Sequence, residues 1–206
     1  MGVKQKSKSL KRRQSQLSDS FYQLKVLNDQ DQIGDQFISF KDRIKESGQE
    51  RIRPTNLDIF QLNIGKLCNQ TCAHCHVDAG PDRKEENMDR ATLERCLEII
   101  KATGVSTVDI TGGAPEMNPH FRWFVEECTK AGAQVIDRCN LTILMAHEKY
   151  ADMPEFLAKH KVQVVSSLPY FNKSRTDSQR GDGVFEDSIA ALKKLNAVGY
   201  LSLIHI

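Results

Sequence analysis

From Leu57 onward the chain alternates short β-rich runs with amphipathic helical patterns, and that alternation constrains the fold more than any other feature. Residues 57–64 read as the first strand. A helix is predicted over 89–103, where Leu93, Cys96, Leu97 and Ile100 keep the i, i+3, i+4, i+7 spacing and Gly104 is the stop. Residues 105–111 form the second strand. Asn118 then offers an N-cap, Pro119 suits the first helical position, and Phe121, Phe124, Val125 and Cys128 carry the spacing to Gly132. Residues 134–138 are the third strand, 148–159 the third helix and 162–168 the fourth strand. A helix over 185–198 follows, with Ile189, Leu192 and Leu195 inward and Gly199 as its stop, and residues 200–206 open a fifth strand. Strands separated by helices pair in parallel through right-handed crossovers. The fold class is α/β, either an open doubly wound sheet or part of a βα barrel, and in both cases ligands gather at the carboxyl ends of the strands.

Four unusual segments fall at those ends. KLCNQTCAHCH follows the first strand, TGGAPE closes the second, DRCNLT the third and SLPYF the fourth. The pattern predicts one site on one sheet edge. Its core is Cys68, Cys72 and Cys75 in a C-x3-C-x2-C spacing, three thiols in eight residues that can converge on one soft metal centre. With His74 or His76 as a fourth ligand they could fill a zinc tetrahedron. Alternatively they could hold three irons of a cubane cluster, leaving the fourth iron open. A redox dithiol at Cys72 and Cys75 is a further option that leaves Cys68 unexplained.

The composition narrows the class. No apolar run is long enough to span a membrane. Residues 1–13 carry six Lys/Arg and no acid, whereas the rest of the chain holds 23 bases against 27 acids, which excludes a basic nucleic-acid-binding body. Six cysteines without a signal-peptide pattern point to reduced thiols and a cytoplasmic location, with an organelle address in the basic N-terminus as the alternative. The expected organisation is a basic disordered tail over 1–20, a helical or irregular extension over 21–56 and a core over 57–206.

The triplet, opening a βα series and followed by Gly112-Gly113 at the next strand end, resembles the radical S-adenosylmethionine (SAM) superfamily. That resemblance implies a parallel βα partial barrel with a 4Fe–4S cluster on Cys68, Cys72 and Cys75, and SAM on the fourth iron. It further implies that Gly112 and Gly113 contact the SAM amino group, with Glu116, Asn140 and Ser167 as further cofactor neighbours. Ala114 follows the glycines directly, so the acid arrives late, as Glu116. The wording of CNQTCAHCHVDAGPDR, DITGGAPE, DRCNLT and SLP with Gln179-Arg180-Gly181 is similar to the arsenosugar-biosynthesis radical SAM proteins over about residues 57–200. This narrower likeness implies transfer of the 5′-deoxyadenosyl group to a methylated trivalent arsenical, with a reductant such as ferredoxin or flavodoxin. That family continues into a cysteine-rich C-terminal half, so the chain ending at Ile206 is read as truncated and its barrel as incomplete at the C-terminus.

Two other readings compete. One is a zinc-binding Cys/His module on an α/β scaffold; the other is an inactive truncated fragment. Among the remaining side chains, Cys96 and Cys128 read as core residues, and Cys139 as an inert thiol or a soft ligand on the functional edge. His74 and His76 read as packing groups around the triplet. Arg83 reads as part of a solvated loop, and Arg138 and Arg180 as surface-paired cations able to offer forked donors to a carboxylate. No catalytic residue is assigned.

Overall fold

The computed structural model describes residues 8–29 and 38–200. It divides into two compact units: the described residues between Leu10 and Asn56 form one, and those before Leu10 and from Leu57 onward form the other. The first contains α1 (Ser20–Asn28), capped by the Asp19 carboxylate, and α2 (Phe40–Glu46), capped by Ser39. The predicted fifth strand, apart from Tyr200, and the first seven residues of the predicted tail lie outside the described residues. Among the described residues no helix is long and apolar enough to cross a membrane.

The second unit is built on four parallel strands, β1 (Ile59–Asn63), β2 (Thr107–Thr111), β3 (Gln134–Asp137) and β4 (Gln163–Val164), in the spatial order β1-β2-β3-β4. The α/β class and parallel pairing expected from the alternation are both present. A strand order that never reverses is that of a barrel segment, whereas a doubly wound sheet has a switch point. Helix α3 (Arg90–Thr103) joins β1 to β2, and α4 (Phe121–Lys130) joins β2 to β3. Helices α5 (Ile143–Ala146) and α6 (Met153–Lys159) lie between β3 and β4, and α7 (Lys173–Arg180) and α8 (Val184–Ala197) follow β4.

Register explains the distribution of polarity. In a parallel sheet, residues paired across strands share a face. Phe60, Val108 and Val135 are in register, as are Leu62, Ile110 and Asp137, and these two rows share the face buried under the helices. Leu93, Leu97 and Ile100 of α3 and Phe121, Phe124 and Cys128 of α4 belong to the same core. The opposite face carries Gln61, Asp109 and Ile136. This polar face is the one a barrel would enclose.

Local chemistry moves several predicted boundaries. Asn118 does not cap α4; its amide donates to the carbonyls of Ile64 and Met88, both at 3.0 Å, and its Oδ1 accepts the His120 N–H. The side chain therefore ties the end of β1 to the approach to α3, and α4 starts at Phe121. The predicted third helix, 148–159, is divided at Ala151–Asp152: a 3-10 turn at Glu148–Tyr150 comes first, and Pro154 then helps start α6 after Asp152 (φ −90°, ψ 4°). The fourth strand pairs only through Gln163–Val164, with one further bond from Val165 N–H to Asp137 O, because β3 ends there and gives residues 166–168 no partner. Helix α7 is an addition. Its only buried residue is Thr176, so it has no apolar periodicity to read.

Candidate cofactor site

The loop after β1 folds back on itself before it reaches the rest of the site. Cys68 N–H donates to Gly80 O, Gly80 N–H donates to Lys66 O, and Leu67 pairs with Gly80 as an isolated parallel bridge. Inside this closed loop the Gln70 N–H points at the Cys68 sulfur (3.4 Å) and the Ala79 N–H at the Cys75 sulfur (3.2 Å). The backbone is thus arranged to donate to sulfur, which favours thiolate.

The end of β2 grips this loop. Gly113 N–H donates to Gly65 O and Ala114 N–H to Leu67 O, each at 2.9 Å. A Cβ on Gly112 would stand 2.7 Å from Gly65 O, and one on Gly113 would stand 2.7 Å from Leu67 O and 2.9 Å from the Ala79 Cβ. The glycine pair is therefore required by the approach of the cysteine loop itself. Gly113→Ala is expected to cost about 2 kcal/mol by overpacking and to lower iron uptake on reconstitution, read from urea unfolding and iron content. Unchanged values for both would show that the loop yields without loss.

Cys68, Cys72, Cys75, Gly112, Gly113, Asn140 and Ser167 all line one cavity of about 330 Å³, together with Arg138, Cys139 and Arg180. Seven of the eight residues singled out from the sequence thus converge. Glu116 stands outside that lining, buried behind it, where its Oε1 accepts the Asn140 N–H at 3.1 Å. The cysteine loop is joined to α7 by an Ala73 N–H to Gln179 O bond, which brings Arg180 to the cavity, where it donates to Ser167 Oγ. Arg138 clasps Asp109 through Nε and Nη2 at 2.8–3.1 Å, with Gln61 donating to the same carboxylate. Its partner is a buried carboxylate on the polar face of the sheet.

Arg83 departs furthest from its sequence reading. It is 1% exposed, not solvated, and its guanidinium bonds Asp78 and Glu86 at 2.9 Å each. The run of acids around it, which looks like a solvated charge cluster, supplies its partners.

The three thiols form a soft donor set on one cavity wall. Burial pushes the Cys68 thiol up to about 12, with Cys72, Cys75 and Glu116 adding to the rise and the Gln70 N–H opposing it. Burial also raises Cys72, while Arg180 pulls it down. Burial, then Arg180 and His76, lower His74 and favour its neutral form. Among the described residues, the trio of His, Cys, Asp or Glu donor atoms lying mutually within 4.8 Å is Glu116, Asp137 and Cys139, not the cysteine triplet with or without a histidine. A single zinc with bonds of about 2.3 Å needs its sulfurs about 3.8 Å apart, whereas a cluster of several irons takes each thiolate at a separate corner. The residues therefore fit a polynuclear cluster better than one zinc ion.

Two buried carboxyl groups, Glu116 and Asp137, lie behind the cavity, and the sequence reading names only the first. Asp137 is fully buried on the helix side of the sheet, and neither of its oxygens has a hydrogen-bond partner. Burial, reinforced by Glu116 and Asp109, holds it well above the carboxylate range. Burial pushes Glu116 up to about 7 against the pull of Cys139 and the Asn140 N–H. Between its ordinary value of 4.5 and about 7, the folded chain keeps a proton that the unfolded chain has released. That contribution is complete below pH 4.5 and is lost as pH rises through about 7, at up to about 1.4 kcal/mol per pH unit. Glu116→Gln should flatten this slope in urea midpoints compared at about pH 5 and about pH 7; an unaltered slope would mean that Glu116 does not hold that proton.

Comparison with known proteins agrees with the fold and the loop. Residues 62–206 match the family described as the radical SAM superfamily. GTP 3′,8-cyclase of Hydrogenovibrio crunogenus (strain DSM 25203 / XCL-2) is 31% identical over 74 residues, covering 34% of this chain and 22% of that protein. Streptococcus suis SuiB superposes with a TM-score of 0.58 at 20% identity, over 92% of this chain and 40% of its own. For anSMEcpe the TM-score is 0.56 at 17% identity, over 68% of this chain and 40% of its own. The chain thus spans 40% of the length of either solved protein. Identities this low speak for a shared fold, but the family match takes in every residue that lines the cavity, and the chain belongs to the radical SAM superfamily.

Proposed function

We propose that this chain holds a 4Fe–4S cluster on Cys68, Cys72 and Cys75 and binds SAM against it for reductive cleavage. The observation that carries the reading is the convergence of all three thiols and the glycine pair on one cavity. The structures of SuiB and anSMEcpe, which share the fold, carry bound SAM. Held by Cys68, Cys72 and Cys75, a cluster would supply the electron for reductive cleavage of the SAM C5′–S bond.

The chain's own residues bind and orient. Gly112 and Gly113 expose backbone at the cavity wall for the SAM amino group. Arg180, beside Cys72 and bonded to Ser167, offers a guanidinium for the SAM carboxylate. Glu116 acts from behind the wall, through the Asn140 backbone. The substrate proposed is a methylated trivalent arsenical that receives the 5′-deoxyadenosyl group, with ferredoxin or flavodoxin as electron donor. Support for it lies in the motif wording over about residues 57–200 and in the soft Cys139 thiol on the same cavity.

Anaerobic reconstitution with iron and sulfide should give a brown protein that, once reduced, converts SAM to methionine and 5′-deoxyadenosine. A colourless protein with one zinc per chain would overturn the reading. Adding a methylated trivalent arsenical should divert the nucleoside into an arsenic–carbon product seen by mass spectrometry. Undiminished 5′-deoxyadenosine without that product would reject arsenic alone.

A further inference from the structure

Asn140 was singled out as a cofactor neighbour, but its polar atoms are already engaged. Its Nδ2 donates to Asn69 Oδ1 at 2.7 Å and to the Cys68 sulfur at 3.4 Å. Its Oδ1 accepts the Thr142 hydroxyl at 3.1 Å, and that hydroxyl accepts from Asn69 Nδ2 at 3.0 Å. The three side chains close a ring that could run in either sense if both amides turned together; a Cys68 thiolate can only accept, which selects the sense with Asn140 Nδ2 facing sulfur. The Asn140 N–H is held by Glu116, and the residue is 8% exposed.

We propose that Asn140 is a positioning residue for the cluster, tuning its reduction potential through the N–H bond to Cys68, and that Asn69 and Thr142 hold it in place for that task. The inference rests on the cluster reading above. Reduction adds one electron and moves no proton, so negative charge on the sulfurs grows. A donor aimed at one of them stabilises the reduced form more than the oxidised form, and the potential rises. Backbone N–H groups of Gln70 and Ala79 act in the same sense on Cys68 and Cys75. Asn140 adds a side-chain donor, which a single substitution can remove.

The test is a mediated potentiometric titration of the reconstituted full chain, followed by the optical and electron paramagnetic resonance signals of the cluster. Asn140→Leu keeps the branched outline of the side chain and the backbone bond to Glu116 while removing the donor. With iron content equal to wild type, it should lower the reduced-to-oxidised ratio at a fixed potential about tenfold, equivalent to about 59 mV for one electron. Thr142→Val leaves the donor but breaks the ring and should give a smaller shift of the same sign; Thr142→Ser keeps the hydroxyl and should restore the wild-type potential. Asn140→Leu with full iron and the wild-type potential overturns the proposal. So does weakened SAM binding at unchanged potential, which would make Asn140 a SAM contact. Should Asn140→Leu take up no iron, Thr142→Val decides, and a wild-type potential there overturns the proposal as well. A wild-type chain that takes up no iron instead overturns the cluster reading itself, and this proposal with it.

Discussion

Replacing Cys72 by alanine should leave the anaerobically reconstituted protein without its iron–sulfur absorbance and reduce SAM cleavage by more than about a hundredfold, since loss of an outer-shell partner alone costs about 10–100-fold. Cys68→Ala and Cys75→Ala should do the same, but Cys72 gives the cleanest reading. Cys68 is 6% exposed, so its truncation also leaves a gap beside Ala79 and Ala114. Cys72 is half-buried, and its loss should affect stability little. The control is Cys96→Ala, on the inner side of α3, which should keep full colour and full cleavage. Apo and loaded proteins should also differ in proton balance. Burial raises Cys68 and Cys72, so both thiols are protonated at neutral pH and must release protons as iron binds. A Cys72→Ala protein that retained full iron and wild-type cleavage would remove the triplet from the chemistry.

Much of this arrangement is legible in the chain because it rests on local signals. The β/α alternation, the left-handed Gly104 that ends α3, and the inward row of Leu93, Leu97 and Ile100 each depend on neighbouring residues. Strand ends carry the motifs, and parallel strands put their ends on one edge, so the convergence of the cysteines, Gly112, Gly113, Asn140 and Ser167 follows from order alone. The unread features depend on distance. That Leu67 O packs beneath Gly113 where no Cβ fits shows only in the structure, and the length of β4 is set by where β3 stops. Asp137 lies in a strand whose neighbours alternate in and out, but only the register with Leu62 and Ile110 shows that its carboxyl faces the helices. Helix α7 has no apolar stripe, yet it delivers Arg180 to the cavity through the bond between Gln179 O and Ala73.

Arg83 is the sharpest case of a charge whose role depends on its surroundings, and its removal should be costly. Arg83→Met keeps the apolar stem but leaves Asp78 and Glu86 without their guanidinium. Breaking a buried pair by removing one partner costs about 3–5 kcal/mol. Here the carboxylate side chains are 13% and 30% exposed, so water can relieve part of the loss, and the low end, about 3 kcal/mol, is expected. The damage should reach the site, because Asp78 holds a left-handed conformation (φ 54°) three residues after Cys75, and its N–H donates to Cys75 O. Without Arg83 that turn loses the guanidinium that grips Asp78, and the Ala79 N–H loses its aim at the Cys75 sulfur. Iron content after reconstitution should therefore fall along with the urea midpoint. Arg83→Lys supplies a point charge that can reach one carboxylate but cannot fork between two, so it should recover only part of the stability. A Met variant within about 0.5 kcal/mol of wild type and with full iron would mean that the loop is held by its backbone bonds to Gly80 and Lys66 alone.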